Sequence, residues 1–191
     1  MIIHLNIKNM KNKLLILFSL LLLPLSSCGE GDYSKKNIEY INEKEAYLYT
    51  LRDNRQLFKS LKFAYNVDNI SEIKNNHVFT CVLIDLSLEN VTLSKENIDE
   101  LYSLLECKSY VWITFYGISD TSFFAYTKFD NEKHFFDYKS AALQTWYNDG
   151  KNDYVNNSGY SAYQDNYSND SYKEMVLGFY SSAVKSVLGS F

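Results

Sequence analysis

The side chains best suited to hold a metal ion are His77, Cys81, Cys107 and His134. Cysteine and histidine are the usual ligands of structural zinc, and they come at short, regular spacings. His77 and Cys81 are four residues apart in a stretch that alternates like a β-strand, which separates them by about 13 Å. That distance is too long for two ligands of one ion, so we expect no metal site and no cofactor.

Cys81 and Cys107 could instead pair with each other. In an oxidising compartment an even pair of cysteines indicates a disulfide. A strand that starts near Cys81, followed by a helix that returns to Cys107, brings both residues to the same end of a strand–helix crossover. Such a disulfide would stabilise the fold by about 2–4 kcal/mol. Two buried free thiols are the alternative.

Acid–base catalysis would need carboxylates, and three aspartates lie near the ends of predicted strands: Asp85, Asp120 and Asp137. The sequence has no nucleophile elbow, no metal-binding histidine pair and no phosphate-binding glycine loop. Solvated surface acids are therefore the simpler interpretation, and we expect a protein without enzymatic activity. A glycan hydrolase is the alternative, because its two carboxylates need no local motif.

Residues 148–171 are rich in Asn, Asp, Gly, Ser and Tyr, and Val155 is their only aliphatic residue larger than Ala. This composition predicts a long irregular loop, and loops of more than about 15 residues are usually functional or disordered. Antibody binding loops use the same mixture, with tyrosine as a rigid contact surface. The predicted partner-binding residues are Trp146, Tyr147, Tyr154, Tyr160, Tyr163 and Tyr167. The competing interpretation is a partly disordered loop encoded by an AT-rich genome.

The N-terminal region predicts a secretory signal. Lys8, Lys11 and Lys13 give it a basic start, and residues 14–23 are an almost unbroken run of Leu, Ile and Phe. A basic start followed by a short apolar core is typical of such signals. The run is too short for a transmembrane helix, which needs about 20 apolar residues.

The end of the apolar run, Leu25-Ser26-Ser27-Cys28-Gly29, resembles the lipobox of bacterial lipoproteins. The resemblance covers only the first 29 residues. It implies that the signal is cleaved before Cys28 and that the thiol and the new amino group of Cys28 carry acyl chains such as palmitate. Several acyl chains together anchor a protein stably to a membrane. Gly29 is not the aspartate that retains enterobacteria-like lipoproteins at the inner membrane, so the resemblance favours the outer membrane.

Cleavage before Cys28 defines the mature protein. Removing residues 1–27 of 191 leaves 164 residues, enough for one domain with a hydrophobic core. The removed segment contains three lysines and no acids, so the net charge of −4 becomes −7. An acidic domain repels phosphate backbones, and we expect no nucleic-acid partner.

Hydrophobic periodicity predicts the remaining elements. Helical spacing runs through 37–65, with a capping box at Asp53 and Gln56 that would start a second helix. Further helices are predicted over 94–107 and 172–188, and strands over 77–88, 110–116, 123–129 and 134–138. Residues 140–147 are predicted as a short helix, and a helix over 131–147 is the alternative for that region.

These elements give an α+β fold: a small mixed β-sheet, made of a β-α-β crossover plus an antiparallel hairpin, with N- and C-terminal helices packed on it. The predicted organisation is a signal peptide over 1–27, a lipidated tether over 28–36 and a single α+β domain over 37–191.

The function expected from the sequence is that of a lipid-anchored cell-envelope protein that binds a protein partner. It would act as an assembly accessory or as an immunity protein that neutralises a toxin in the periplasm. The alternative is a glycan-binding protein or a motif-poor cell-wall glycan hydrolase. A structural spacer without a ligand is the third interpretation.

Overall fold

The computed structural model describes residues 30–74, 76–106, 110–118, 121–131, 141–148, 156–161 and 168–189. The described residues from Asp32 onwards belong to one compact unit. Its helices are α1 (Glu30–Glu43), α2 (Lys95–Leu105), α3 (Lys128–Asn131) and α4 (Asn169–Leu188). Its strands are β1 (Tyr47–Leu51), β2 (Ala64–Val67), β3 (Phe79–Asp85), β4 (Tyr110–Tyr116), β5 (Ala141–Asn148) and β6 (Asn156–Ser161).

The six strands form one mixed sheet in the order β2-β1-β3-β4-β5-β6. The first four strands in that order are parallel, and β5 and β6 run antiparallel to their neighbours. The predicted α+β fold is therefore confirmed, with the β3-α2-β4 crossover and an antiparallel hairpin in one sheet. The N- and C-terminal helices pack on it as expected.

The sheet separates two hydrophobic cores. Helix α2 covers one face, where it packs on inward-facing residues of β3 and β4 such as Val82 and Ile113. Helices α1 and α4 cover the other face, where Ile41 and Val176 pack on Phe79. All seven residues of β3 are buried because both of its faces lie in a core, which explains its continuous apolar sequence.

The connections between the parallel strands lie on different faces of the sheet. The β1–β2 connection buries Phe58 and Leu61 in the core under α1 and α4. The β2–β3 connection buries Ile70 and Ile73 on the α2 face, and the β3–β4 connection is α2 itself. The chain therefore leaves β1 and β3 towards opposite faces. In open α/β sheets the crevice at the carboxyl ends of two such strands is the usual place for a ligand.

Helix α2 has the N-cap and the buried stripe that its sequence pattern indicates. Ser94 is the N-cap, and its side chain accepts a hydrogen bond from the backbone of Asn97. Ile98, Leu101, Tyr102 and Leu105 form the buried stripe at helical spacing. The predicted helix over 94–107 is confirmed over Lys95–Leu105, and the predicted strand over 110–116 is confirmed in full.

The prediction of helix over 37–65 is wrong beyond Glu43. Helix α1 begins at Glu30, so it includes residues that the sequence pattern assigned to the tether. After it the chain turns into β1 and β2, because alternating residues such as Tyr47 and Tyr49 share one face of a sheet. Asp53 starts no second helix; its carboxylate binds Arg55 instead.

The strand predicted over 123–129 is also wrong. A 3₁₀ turn over Thr121–Phe124 and the short α3 occupy this region. Tyr126 lies between them with a left-handed φ of 63°, which breaks the extended path and leaves its side chain 86% exposed. Phe124 and Phe129 both enter the core under α2. The strand predicted over 134–138 lies outside the described residues.

The antiparallel neighbour of β4 is β5, in the stretch that sequence propensity assigned to a helix. Ala141, Ala142 and Leu143 favour a helix intrinsically, but the pairing of β5 with β4 and β6 overrides that preference. The predicted loop over 148–171 contains β6 and the first turn of α4, so it is shorter than expected. Helix α4 confirms the predicted C-terminal helix and starts three residues earlier.

Candidate functional site

The two predicted partner-binding residues nearest to β4 are core residues. Trp146 is 1% exposed and lies 5.1–5.8 Å from the rings of Phe115, Phe124 and Phe129. Tyr147 is half-buried and stacks on Trp112 at 4.6 Å. The prediction that Trp146 contacts a partner is therefore wrong, because the ring holds the α2-side core together.

Most other predicted site residues lie outside the described part of the chain. Tyr160 lies in β6, with its backbone opposite Leu143 of β5. The remaining predicted residues lie outside the described residues: Cys28, Cys107, Asp120, His134, Asp137, Tyr154, Tyr163 and Tyr167.

Cys81 is a buried free thiol. Its side chain belongs to the core under α1 and α4, whereas α2, which leads towards Cys107, packs on the opposite face. Its sulfur lies 3.8 Å from Oγ1 of Thr114. Burial raises the pKa of Cys81 to about 12, so the thiol stays protonated at neutral pH. The disulfide with Cys107 remains a prediction that the direction of this side chain does not favour.

A charged cluster occupies the crevice between the carboxyl ends of β1 and β3. Nη2 of Arg55 donates to Oδ2 of Asp53 at 2.7 Å and to Oδ2 of Asp85 at 2.6 Å. The two carboxylates are 5% and 3% exposed, and Ser87 donates its backbone N–H to Asp85 at 2.9 Å. The hydrogen bond to Asp53 is the main reason that the pKa of Arg55 is raised above its usual value.

The first turn of α4 packs against this cluster. The guanidinium of Arg55 lies 4.6 Å from the ring centre of Tyr172, which is itself 2% exposed. Tyr116, at the end of β4, meets the same ring edge-on at 4.8 Å. The arrangement joins the ends of β1, β3 and β4 to α4. One guanidinium therefore pairs with both carboxylates.

A cavity of about 480 Å³ lies on the α2 face beyond the ends of β3 and β4. Leu86, Val91, Leu93 and Phe123 give it mainly apolar walls. Gly117 has a left-handed φ of 74°, and an added Cβ there would lie 3.2 Å from the backbone nitrogen of Ser87. The cavity's described lining residues carry no titratable side chain.

A group of aromatic rings lies on the α2 face at the β2 edge of the sheet, around β1 and β2. Tyr47 stacks on His77 at 3.4 Å and packs against Phe63 at 4.9 Å. Tyr65 lies 5.5 Å from Tyr49 and 6.0 Å from Tyr47. We call these five residues the aromatic edge. Sequence reasoning missed it, although the alternation of Tyr47 with Tyr49 and of Phe63 with Tyr65 is a strand signal.

The aromatic edge combines fixed rings with open surface. Tyr65 is 45% exposed, and Val78 beside His77 is 59% exposed. The Tyr49 hydroxyl lies 3.4 Å from Nε2 of His77, which fixes the imidazole between two tyrosines. Burial, and then the charge of Lys74, lower the pKa of His77, so the ring is neutral at neutral pH. Five rings held by one another form a rigid surface that can take an apolar group.

Known proteins give no guide to this chain: no family model, curated protein or solved structure matches it. Among the described residues, no cluster of three His, Cys, Asp or Glu side chains could hold a metal ion. In the same part of the chain, no helix is long and apolar enough to cross a bilayer.

Proposed function

We propose that this protein is a lipid-anchored protein of the bacterial cell envelope whose domain binds a partner protein. The observation that carries the proposal is the aromatic edge: five mutually packed rings on the open side of the sheet, with Tyr65 45% exposed. The lipobox resemblance at Leu25–Cys28 supports the anchor. An accessory role in envelope assembly and neutralisation of a periplasmic toxin both fit such a module.

Three properties of the aromatic edge suit a protein partner. Tyrosine is enriched among the residues that dominate binding energy at interfaces. The rings lose little conformational entropy on binding, because neighbours such as Tyr47 already hold them in place. Tyr65 of the aromatic edge is also part of β2, a strand that has a neighbouring strand on one side only among the described residues. An open strand and a fixed apolar surface together are a recurring recognition mode for peptides.

Glycan binding is the competing function, because exposed tyrosines such as Tyr65 also stack on sugar rings. Glycan hydrolysis has less support. Hydrolysis needs two carboxylates with separate roles, whereas Arg55 ion-pairs with both Asp53 and Asp85. The experiment below therefore uses both protein and glycan from the same envelope.

The binding proposal is tested by crosslinked pull-down from the native host's envelope, with the full lipoprotein as bait. Tyr65→Ala removes the exposed ring of the aromatic edge. Tyr126→Ala is the matched control, since Tyr126 is also exposed but belongs to the region that packs against β5. We expect Tyr65→Ala to reduce capture of one envelope protein at least about tenfold, the scale of a hot-spot residue, and Tyr126→Ala to leave it unchanged. Equal capture by all three baits would refute the assignment, and selective retention of cell-wall sugars would favour the glycan function.

The anchor is tested separately in cells. Cys28→Ser removes the thiol that the lipobox resemblance assigns to acylation. We expect the parent protein to incorporate labelled palmitate and to enter the detergent phase of a detergent–water partition. The variant should do neither and should keep residues 1–27. Labelled palmitate in the Cys28→Ser protein would contradict the lipoprotein assignment.

A further inference from the structure

Some backbone N–H and C=O groups of β2 face β1, and the others face away from the sheet. The N–H of Leu48 donates to the carbonyl of Phe63 at 2.9 Å, and the N–H of Arg52 donates to the carbonyl of Val67 at the same distance. Successive residues of a strand turn their N–H and C=O groups to opposite sides. Residues 63, 65 and 67 therefore face β1, and Ala64 and Asn66 direct their backbone N–H and C=O groups away from the sheet.

These outward groups form an open row at the edge of the sheet. Among the described residues, β2 pairs with β1 alone. The side chain of Asn66 is already engaged, since its Oδ1 accepts from the backbone of Asp53 at 2.8 Å and its Nδ2 donates to Asn54 at 3.3 Å. That anchoring holds the strand in place while its backbone stays exposed. Two donors and two acceptors in an extended backbone are what an added strand requires.

The aromatic edge lies directly beside this row. Tyr65 sits between Ala64 and Asn66, and its ring lies on the α2 face of the sheet next to Tyr49. A strand added to β2 would place every second side chain on that same face, close to the ring of Tyr65. The outward backbone groups of β2 can bind an added strand of any sequence. The ring of Tyr65 favours an added strand that carries an apolar side chain beside it.

We propose that the partner donates an extended segment that pairs with β2 and places an apolar side chain against Tyr65. The inference rests on the proposed function and adds the binding mode. The segment forms hydrogen bonds with the N–H and C=O groups of Ala64 and Asn66 and extends the sheet to seven strands. Because β2 has only four residues, the paired segment is short, and the aromatic edge supplies the rest of the contact.

A proline at residue 64 tests the backbone contact. Ala64→Pro removes an outward N–H that the β1–β2 pairing does not use, and proline is tolerated in an edge strand at such a position. Asn169→Pro is the matched control. Residue 169 is exposed and is the first residue of α4 after the Ser168 N-cap, a position that accepts proline without losing a helical hydrogen bond. Thermal unfolding of both variants checks that the fold is intact.

The probe is a phage library of random 12-residue peptides, panned against the full mature domain. We expect selected peptides to carry alternating apolar residues and to bind Ala64→Pro about tenfold more weakly than the parent, while Asn169→Pro binds normally. Hydrogen exchange on the parent protein gives a second readout that needs no substitution. With a selected peptide bound, the amides of Ala64 and Asn66 should exchange at least about tenfold more slowly.

The outcomes separate the two proposals. If Tyr65→Ala weakens binding but Ala64→Pro does not, and the exchange of both amides is unchanged, strand addition is wrong and the aromatic edge remains the binding surface. If neither substitution has an effect, or no peptide is selected, both proposals fail. A dimer of this protein that Ala64→Pro dissociates would show that the added strand comes from a second copy, which also contradicts the proposed partner.

Discussion

Replacement of Arg55 by methionine should destabilise the domain more than any surface substitution. Arg55→Met keeps an unbranched aliphatic side chain but removes the guanidinium that lies against Tyr172 and between Asp53 and Asp85. The two carboxylates, only 5% and 3% exposed, would then lose the cation that pairs with both of them in the described part of the chain. An uncompensated buried charge is one of the few causes of large mutational effects.

The magnitude follows from burial. Removing one partner of a buried ion pair costs about 3–5 kcal/mol. The side chain of Arg55 is itself 22% exposed, so water reaches part of the cluster and the lower value applies. We expect the free energy of unfolding to fall by about 3 kcal/mol. At about 2–4 °C per kcal/mol for a domain of this size, the melting temperature should fall by roughly 6–12 °C.

Urea unfolding at pH 7, followed by circular dichroism, measures this effect directly. Lys35→Met is the control, because Lys35 forms an exposed pair with Glu39, and loss of such a pair should change stability by less than about 0.5 kcal/mol. Adding Asp85→Asn to Arg55→Met should recover part of the loss, since it removes one of the unpaired charges. If Arg55→Met unfolds at the same urea concentration as the parent, the cluster does not hold β1, β3 and α4 together.

Three smaller effects follow from single residues. Ser94→Ala should lower the free energy of unfolding by about 1 kcal/mol, because it removes the side-chain cap of α2; urea unfolding measures it, and an unchanged midpoint would contradict the cap. Tyr126→Gly should raise the same free energy by about 0.5–1 kcal/mol, since glycine adopts the left-handed φ of 63° without strain; a lower melting temperature would show that the tyrosine ring contributes more than the strain costs. In a protein carrying Cys28→Ser and Cys107→Ser, Cys81 should react with a thiol reagent only after unfolding. Its pKa is about 12 when folded and 9.0 for a free thiol, so Cys81 should lower stability by about 1.4 kcal/mol per pH unit between pH 9 and 10, below the range where tyrosines ionise. Rapid labelling of the native protein at pH 8 would show that this thiol is accessible.

The central part of the fold could be predicted from local sequence. Ser94 caps a stretch in which Ile98, Leu101 and Leu105 recur at helical spacing, and the flanking strands are apolar on both faces. These signals are strong because burial, capping and periodicity all indicate the same structure. They correctly gave β3, α2 and β4 and the crossover that joins them.

The errors arose where tertiary contacts override local preference. Residues 141–147 contain good helix formers, yet pairing with β4 and β6 makes them a strand. Trp146 looked like a surface anchor because polar residues follow it, but its neighbours in space are phenylalanines 17–31 positions earlier in the chain. The aromatic edge was missed because Tyr47 and Tyr65 come together only through the pairing of β1 with β2.

The charged crevice could not have been found from sequence spacing. Asp53 and Arg55 are close in the chain, but Asp85 joins them only because β1 and β3 are neighbours in the sheet. Tyr172 arrives from the far end of the chain with the first turn of α4. The sequence indicated Asp85 as one of three candidate acids near strand ends. The structure shows that its partner is Arg55.

The most direct test of a partner at the aromatic edge is site-specific photo-crosslinking in living host cells. A photoreactive phenylalanine replaces Tyr65 in the full-length protein, and the same group at exposed Ser186 of α4, on the opposite face of the sheet, is the control. We expect irradiation to give one discrete crosslinked envelope protein from position 65 and none from position 186. The same pattern of crosslinks from both positions, or no protein crosslink from position 65, would contradict the proposal that this surface binds a partner protein.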